Sequence, residues 1–156
     1  MNKLILTIFG GTGDLTYRKL LPAMYNLYIK KQLPEEFLIT PIGRRDYTDA
    51  DYQEIIEPWI SEFAQVKVKT EQLQAFFEHI HYFRMDFTDQ SQYQLLDQYY
   101  KVHPSENHVV YYAVAPDFFE GITDGVSTMK NMHEPKIVLE KPFGASLELA
   151  KFLSKK

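Results

Sequence analysis

The sequence predicts an α/β fold: a mostly parallel sheet with helices on both faces. Two observations predict it. Short apolar strand-like runs alternate with longer amphipathic stretches along the whole chain. The first run ends in three closely spaced glycines that open the first helix-like stretch. Bulk composition agrees. The chain has 156 residues, 45% of them hydrophobic and 24% charged, which suits one globular domain burying roughly 70% of its extended-chain surface.

Leu4–Phe9 (LILTIF) reads as a buried strand, and Gly10–Gly13 breaks it. From Asp14 to about Lys31 the pattern is helical, with Leu20, Ala23, Met24 and Leu27 on one face, and Pro34 closes the unit. Phe37–Ile42 reads as the second strand. Thr48 to about Phe63 reads as a helix with Asp49 and Asp51 at its positive end, kinked or split by Pro58. TEQLQAFFEHI is a further helical piece, HYFRMD a short strand and SQYQLLDQYYKV an amphipathic helix. HVVYYAVA is the most strand-like segment, and Pro116 suits the first turn of the helix after it. PKIVLE is a last strand, and Ser146 is placed to cap a final short helix. Right-handed crossovers in such a sheet bring the strand ends, and any ligand, to one edge.

Composition excludes several function classes. There are no cysteines, so disulfides, thiolate zinc sites and a cysteine nucleophile are absent. A net charge of −4 gives no support to a nucleic-acid partner. No stretch approaches the ~20 apolar residues of a membrane span, and the opening MNKLILTIFGG lacks the pattern of a signal peptide. The expectation is a cytoplasmic protein without a membrane partner. His79 and His81 could share a strand face, but metal binding needs further ligands, and surface histidines are the plainer reading. His103, His108 and His133 are isolated, and none is assigned as a general base.

Gly10, Gly11 and Gly13 stand between the first strand and the first helix. Glycine lets a pyrophosphate approach the backbone, and a helix N-terminus adds N–H groups and a positive dipole end. Gly11-Thr12-Gly13 followed by Thr16 is a G-x-G-x-x-G pattern with its last glycine replaced. A Rossmann-like nucleotide site is the reading; a turn serving only helix–strand packing is the plain alternative. The second strand runs into PIGRRDYT, where Arg44 and Arg45 favour a coenzyme 2′-phosphate, hence NADP. Asp46 could pair with one of them. Short-chain reductases share such a loop but need Tyr-x-x-x-Lys, and no tyrosine here has lysine four residues on. The phosphate-loop string G-x-x-x-x-G-K-[ST] is absent too.

The last strand ends in EKPFG, Glu140–Gly144. Lysine at a strand's C-terminal end faces the cofactor cleft, and a cis Pro142 would fix a bend that turns Lys141 inward. The strings GGTGDL (Gly10–Leu15), RKLLPAMYNLY from Arg18, AVAPDFF from Ala113 and EKPFG from Glu140 occur in one order. Through them the chain resembles the N-terminal coenzyme-binding domain of the glucose-6-phosphate dehydrogenases, across nearly its whole length.

That resemblance implies oxidation of β-D-glucose 6-phosphate at C1, with hydride passing to NADP and 6-phosphogluconolactone as product, in the oxidative pentose phosphate pathway. It implies that Gly10, Gly11, Thr12, Gly13, Asp14 and Leu15 lie against the pyrophosphate and Arg44 holds the 2′-phosphate. Asp86 and Phe87 would flank the adenosine, Ala113 and Val114 the nicotinamide. Lys141 would touch both substrate and coenzyme, and Lys19 would be a substrate-side lysine. Two departures stand out: Pro41 replaces a common glycine, and Thr16-Tyr17 replaces a common Ala-Lys pair, removing a positive charge. The family's catalytic histidine lies in an RIDHYLGKE-like string beyond EKPFG, and no such string is present. No catalytic residue is therefore assigned.

The sequence thus reads as residues 1–156 of a coenzyme domain, without the α+β domain that forms the sugar site and the family's dimer interface. Alone it is expected to bind NADP, to catalyse little, and to bare an apolar patch; no oligomer is assigned. The alternative is a stand-alone dinucleotide-binding or sensor module working with a separate partner.

Overall fold

A computed structural model describes residues 3–139. Among the described residues, five parallel strands form one sheet in the order β3-β2-β1-β4-β5. They are β1 Leu4–Phe9, β2 Phe37–Gly43, β3 Phe83–Arg84, β4 Asn107–Tyr112 and β5 Lys136–Leu139. The helices are α1 Leu21–Ile29, α2 Asp49–Phe63, α3 Thr70–Phe77, α4 Tyr93–Lys101 and α5 Phe119–Ser127. The chain leaves β1 toward β2 and β3, then returns to the other side of β1 for β4 and β5. This reversal opens a crevice beyond the carboxyl ends of β1 and β4, where such sheets bind ligands.

The two-residue period of β1 builds both halves of the core. Leu4, Leu6 and Ile8 face one side and pack with Leu20, Met24, Tyr52, Ile56 and Phe76 from the helices that cover it. Ile5 and Phe9 face the other side, with Tyr93, Leu96, Ile122 and Val126 of α4 and α5. Thr7, the polar residue of that second face, is fully buried; its hydroxyl shares a 2.6 Å hydrogen bond with the Tyr100 hydroxyl.

Three elements differ from their sequence expectations, each through proline. The first helix is not one α-helix. Thr16–Leu20 forms a π-helical turn before α1, closed by the Leu21 N–H donating to the Thr16 carbonyl. Pro22, in the first turn of α1, has no N–H to continue an α-helical ladder, and the wider turn absorbs the mismatch. Pro58 does not split α2, which runs unbroken from Asp49 to Phe63. Pro58 lies on its solvent side, where water can satisfy the freed carbonyl, while Tyr52, Ile56 and Ile60 anchor the opposite face.

The third case is β3, expected over HYFRMD but only two residues long. Ile39 uses its N–H and carbonyl toward β3, with His79 O at 2.8 Å and His81 N at 3.0 Å. Pro41, two residues on, faces the same way and has no N–H to give. The ladder breaks there and resumes only at Ile42 and Gly43. β4 stops at Tyr112; Ala113 keeps one bond to Phe9 of β1 before Pro116 opens a 3₁₀ turn, Pro116–Phe118, into α5. On β5, Ile137 and Leu139 are 41% and 46% exposed. The expected cis Pro142 and the Ser146-capped helix lie outside the described residues.

Candidate functional site

The glycine loop sits at the carboxyl end of β1, wedged between the ends of its two neighbours. Gly10 has φ +94°, and a Cβ on it would stand 2.3 Å from the Ala113 carbonyl oxygen. A Cβ on Gly11 would stand 2.6 Å from Pro41 Cβ and 2.7 Å from Ile42 N. Neither place admits a side chain. The Gly11 N–H donates to Ile42 O at 2.8 Å, and the Ala113 N–H donates to Phe9 O at 2.8 Å, tying the loop to β2 and β4.

The carbonyls of this loop are taken up by the protein. Gly10 O accepts from Thr16 Oγ1 at 2.8 Å and from Gly13 N at 3.2 Å. Gly11 O accepts a 2.6 Å bond from the hydroxyl of Tyr52, a fully buried residue of α2. Oxygens that would repel an anion are thus held inward, at the start of a helical segment whose dipole favours negative charge. The loop and its crowded glycines fit a pyrophosphate.

An aromatic wall supports the loop from the α2 side. Tyr17 packs on Tyr52 and Trp59, and Tyr52 stacks on Tyr82 with ring centroids 5.2 Å apart. Burial, and then the neighbouring Tyr47 and Tyr82, push the Tyr17 phenol up to about 12, so it stays neutral. Tyr17 is therefore built into a wall. Arg18 lies over Trp59 and Phe63 and pairs with Asp14 at 3.2 Å, an exposed pair.

Beyond β2 and β3 lies an open cleft of about 480 Å³, lined by Arg44, Arg84, Asp86 and Gln92 among others. The structure brings Arg44 and Asp86 together here, as their separate positions after β2 and β3 imply. Asp86 Oδ1 accepts from both the N–H and the hydroxyl of Thr88, at 3.0 and 2.6 Å. These bonds, with a smaller contribution from Arg44, hold its carboxyl below the usual range. Phe87 turns inward, edge-on to Phe9 and Phe118, and its carbonyl accepts from the Tyr93 hydroxyl at 2.7 Å.

The remaining sequence candidates scatter. Thr12 approaches Gly43 of β2, where an added Cβ would be 2.8 Å from Thr12 Cγ2. Ala113 and Val114 close over Gly10 from β4. Lys19 is exposed on the π-helical turn. Lys141 lies outside the described residues. Asp46 pairs with neither Arg44 nor Arg45 but stands 3.8 Å from Arg84. His79 and His81 have separate partners: His79 donates to Phe37 O while stacking on Phe37, and His81 contacts Asp49. Sequence reasoning missed Tyr52 and Arg84. Tyr52 carried only the signal of an aromatic in the first turn of a capped helix.

The family model described as "Glucose-6-phosphate dehydrogenase, NAD binding domain" matches residues 7–156. The chain belongs to the glucose-6-phosphate dehydrogenase family. It is 34% identical to the glucose-6-phosphate 1-dehydrogenase of Bacillus subtilis (strain 168), over 98% of this chain and 32% of that protein. It is 33% identical to that of Leuconostoc mesenteroides, over 95% of this chain and again 32% of the relative. The chain therefore spans about a third of the curated relatives it matches. Among solved structures, glucose-6-phosphate 1-dehydrogenase from Mycobacterium avium superposes with a TM-score of 0.77 at 23% identity, covering 96% of this chain and 33% of that one. A glucose-6-phosphate dehydrogenase solved in complex with its substrate glucose-6-phosphate gives 0.71 at 20% identity, over 97% and 34%. At those identities the likeness is one of fold. The family membership makes this a nicotinamide-dinucleotide-binding domain.

Proposed function

We propose that residues 1–156 are the coenzyme-binding domain of an NADP-dependent glucose-6-phosphate 1-dehydrogenase. The observation that carries this reading is the joint placement at one sheet edge. The glycine loop ends β1, Ala113 ends β4, and Arg44 with Asp86 ends β2 and β3.

The coenzyme supplies the hydride acceptor for C1 of the sugar. Everything else here belongs to binding and orientation. Gly10, Gly11 and Gly13 let the pyrophosphate reach the backbone from Thr12 to Leu15. Arg44 grips the 2′-phosphate through its planar fork of donors. Asp86 and Phe87 border the adenosine, and Ala113 borders the nicotinamide. Lys141 and Lys19 serve the sugar phosphate and, for Lys141, the coenzyme too. The base that removes the C1 hydroxyl proton belongs to the part of the protein beyond EKPFG. Acid–base catalysis contributes roughly 10²- to 10⁴-fold, so this chain alone binds NADP without oxidising glucose 6-phosphate at a useful rate.

Calorimetric titration with NADP, together with absorbance at 340 nm in the presence of glucose 6-phosphate, tests both halves. Binding without turnover supports the reading. No binding of either NADP or NAD overturns it.

A further inference from the structure

Arg84 was not marked by any sequence pattern, yet the structure sets it beside Arg44. Parallel register pairs Gly43 of β2 with Arg84 of β3, so Arg84 leaves the sheet one residue from Arg44. Its Nε–H donates to the Arg44 carbonyl at 3.1 Å. That bond fixes the guanidinium while sparing its terminal nitrogens. Both arginines line the same cleft.

Asp86 and Asp89 line the same cleft, but neither lies within ion-pair distance of either guanidinium. Asp86 is engaged by Thr88, and Asp89 by the N–H and hydroxyl of Ser91 at 3.1 and 2.7 Å. Asp46 is 87% exposed and 3.8 Å from Arg84, a distance and exposure at which an ion pair contributes little. Two guanidiniums held in one cleft repel each other, and a dianion between them relieves that repulsion.

We infer that Arg84, together with Arg44, forms the anion clamp for the coenzyme's 2′-phosphate and sets the preference for NADP over NAD. The second cation of this clamp then comes from β3 across the ladder, not from Arg45, which does not line the cleft and whose charge acts on Tyr17 instead. The inference rests on the coenzyme reading above and adds a specificity-determining residue to it.

The test is calorimetry of the unaltered chain, R84A and R44A with NADP and with NAD at fixed salt, each variant first checked for an unchanged melting curve. The clamp predicts that R84A loses about tenfold in NADP affinity, as expected for a charge-assisted phosphate contact, with NAD affinity unchanged. R84K, which keeps the charge but not the fork, should fall between the two. NADP binding by R84A equal to the unaltered chain, while R44A is weakened, overturns the role of Arg84 alone. Equal losses for NADP and NAD also overturn it, since they mark a structural role. If the unaltered chain binds neither coenzyme, the coenzyme reading itself is overturned.

Discussion

At the scale of single residues, the site depends on two contacts that permit no freedom. Gly11 lies so close to Pro41 and Ile42 N that a methyl group cannot enter without moving backbone. Gly11→Ala should therefore abolish measurable NADP binding and destabilise the chain by about 1–3 kcal/mol, the usual cost of overpacking. Chemical denaturation and titration on one preparation check both. Tyr52 makes the only hydrogen bond described to the Gly11 carbonyl, from full burial. Tyr52→Phe removes the donor and leaves a buried acceptor unsatisfied, at about 1–3 kcal/mol. Its coenzyme affinity should fall as well, because the freed carbonyl can turn toward the phosphates. A variant equal to the parent in both stability and affinity would show that the loop holds itself.

At the scale of elements, the same proline chemistry explains what was legible in the sequence and what was not. Strands β1, β2 and β4 were plain from their apolar runs, because a buried parallel strand needs nothing but apolar residues. Gly10–Leu15 was plain too, as a backbone that must stay bare carries its own signature. The length of β3 was hidden. It is set by Pro41, on another strand and more than forty residues earlier, whose missing N–H opens the ladder. Pro58 suggested a split that is not there, for the opposite reason. Its cost depends on which face of α2 meets water, and that is decided only by packing. Arg84 was hidden because its partner is set by register, which no local pattern reveals. The start of α2 gives an element-scale test. Thr48 accepts from Asp51 N at 3.0 Å, and the Asp51 carboxylate accepts from Thr48 N at 3.0 Å. Thr48→Ala should lower stability by about 1 kcal/mol, a drop of a few degrees in Tm. Coenzyme affinity should be unchanged, since Tyr52 remains held by the rest of α2.

At the scale of the whole molecule, charge burial sets how the fold responds to acid. His108, the second residue of β4, is 2% exposed and edge-on to Tyr100. Burial lowers its pKa from the usual 6.5 to about 4. Between those two values the unfolded chain binds a proton that the folded chain does not. Stability is therefore complete above about pH 6.5 and falls as the pH drops toward 4, by up to about 3 kcal/mol. Urea midpoints measured across that range should decline in the parent and decline distinctly less in His108→Gln. Equal declines would assign the acid sensitivity to other groups.

The molecule's architecture brings four strand ends to one sheet edge, and the central claim is that this edge is an organised coenzyme site in the chain by itself. Calorimetric titration of the 156-residue chain with NADP and NAD tests that claim most directly. The account predicts saturable binding with NADP favoured over NAD, and loss of that preference in R44A. Binding of neither coenzyme by a chain that melts cooperatively would contradict it.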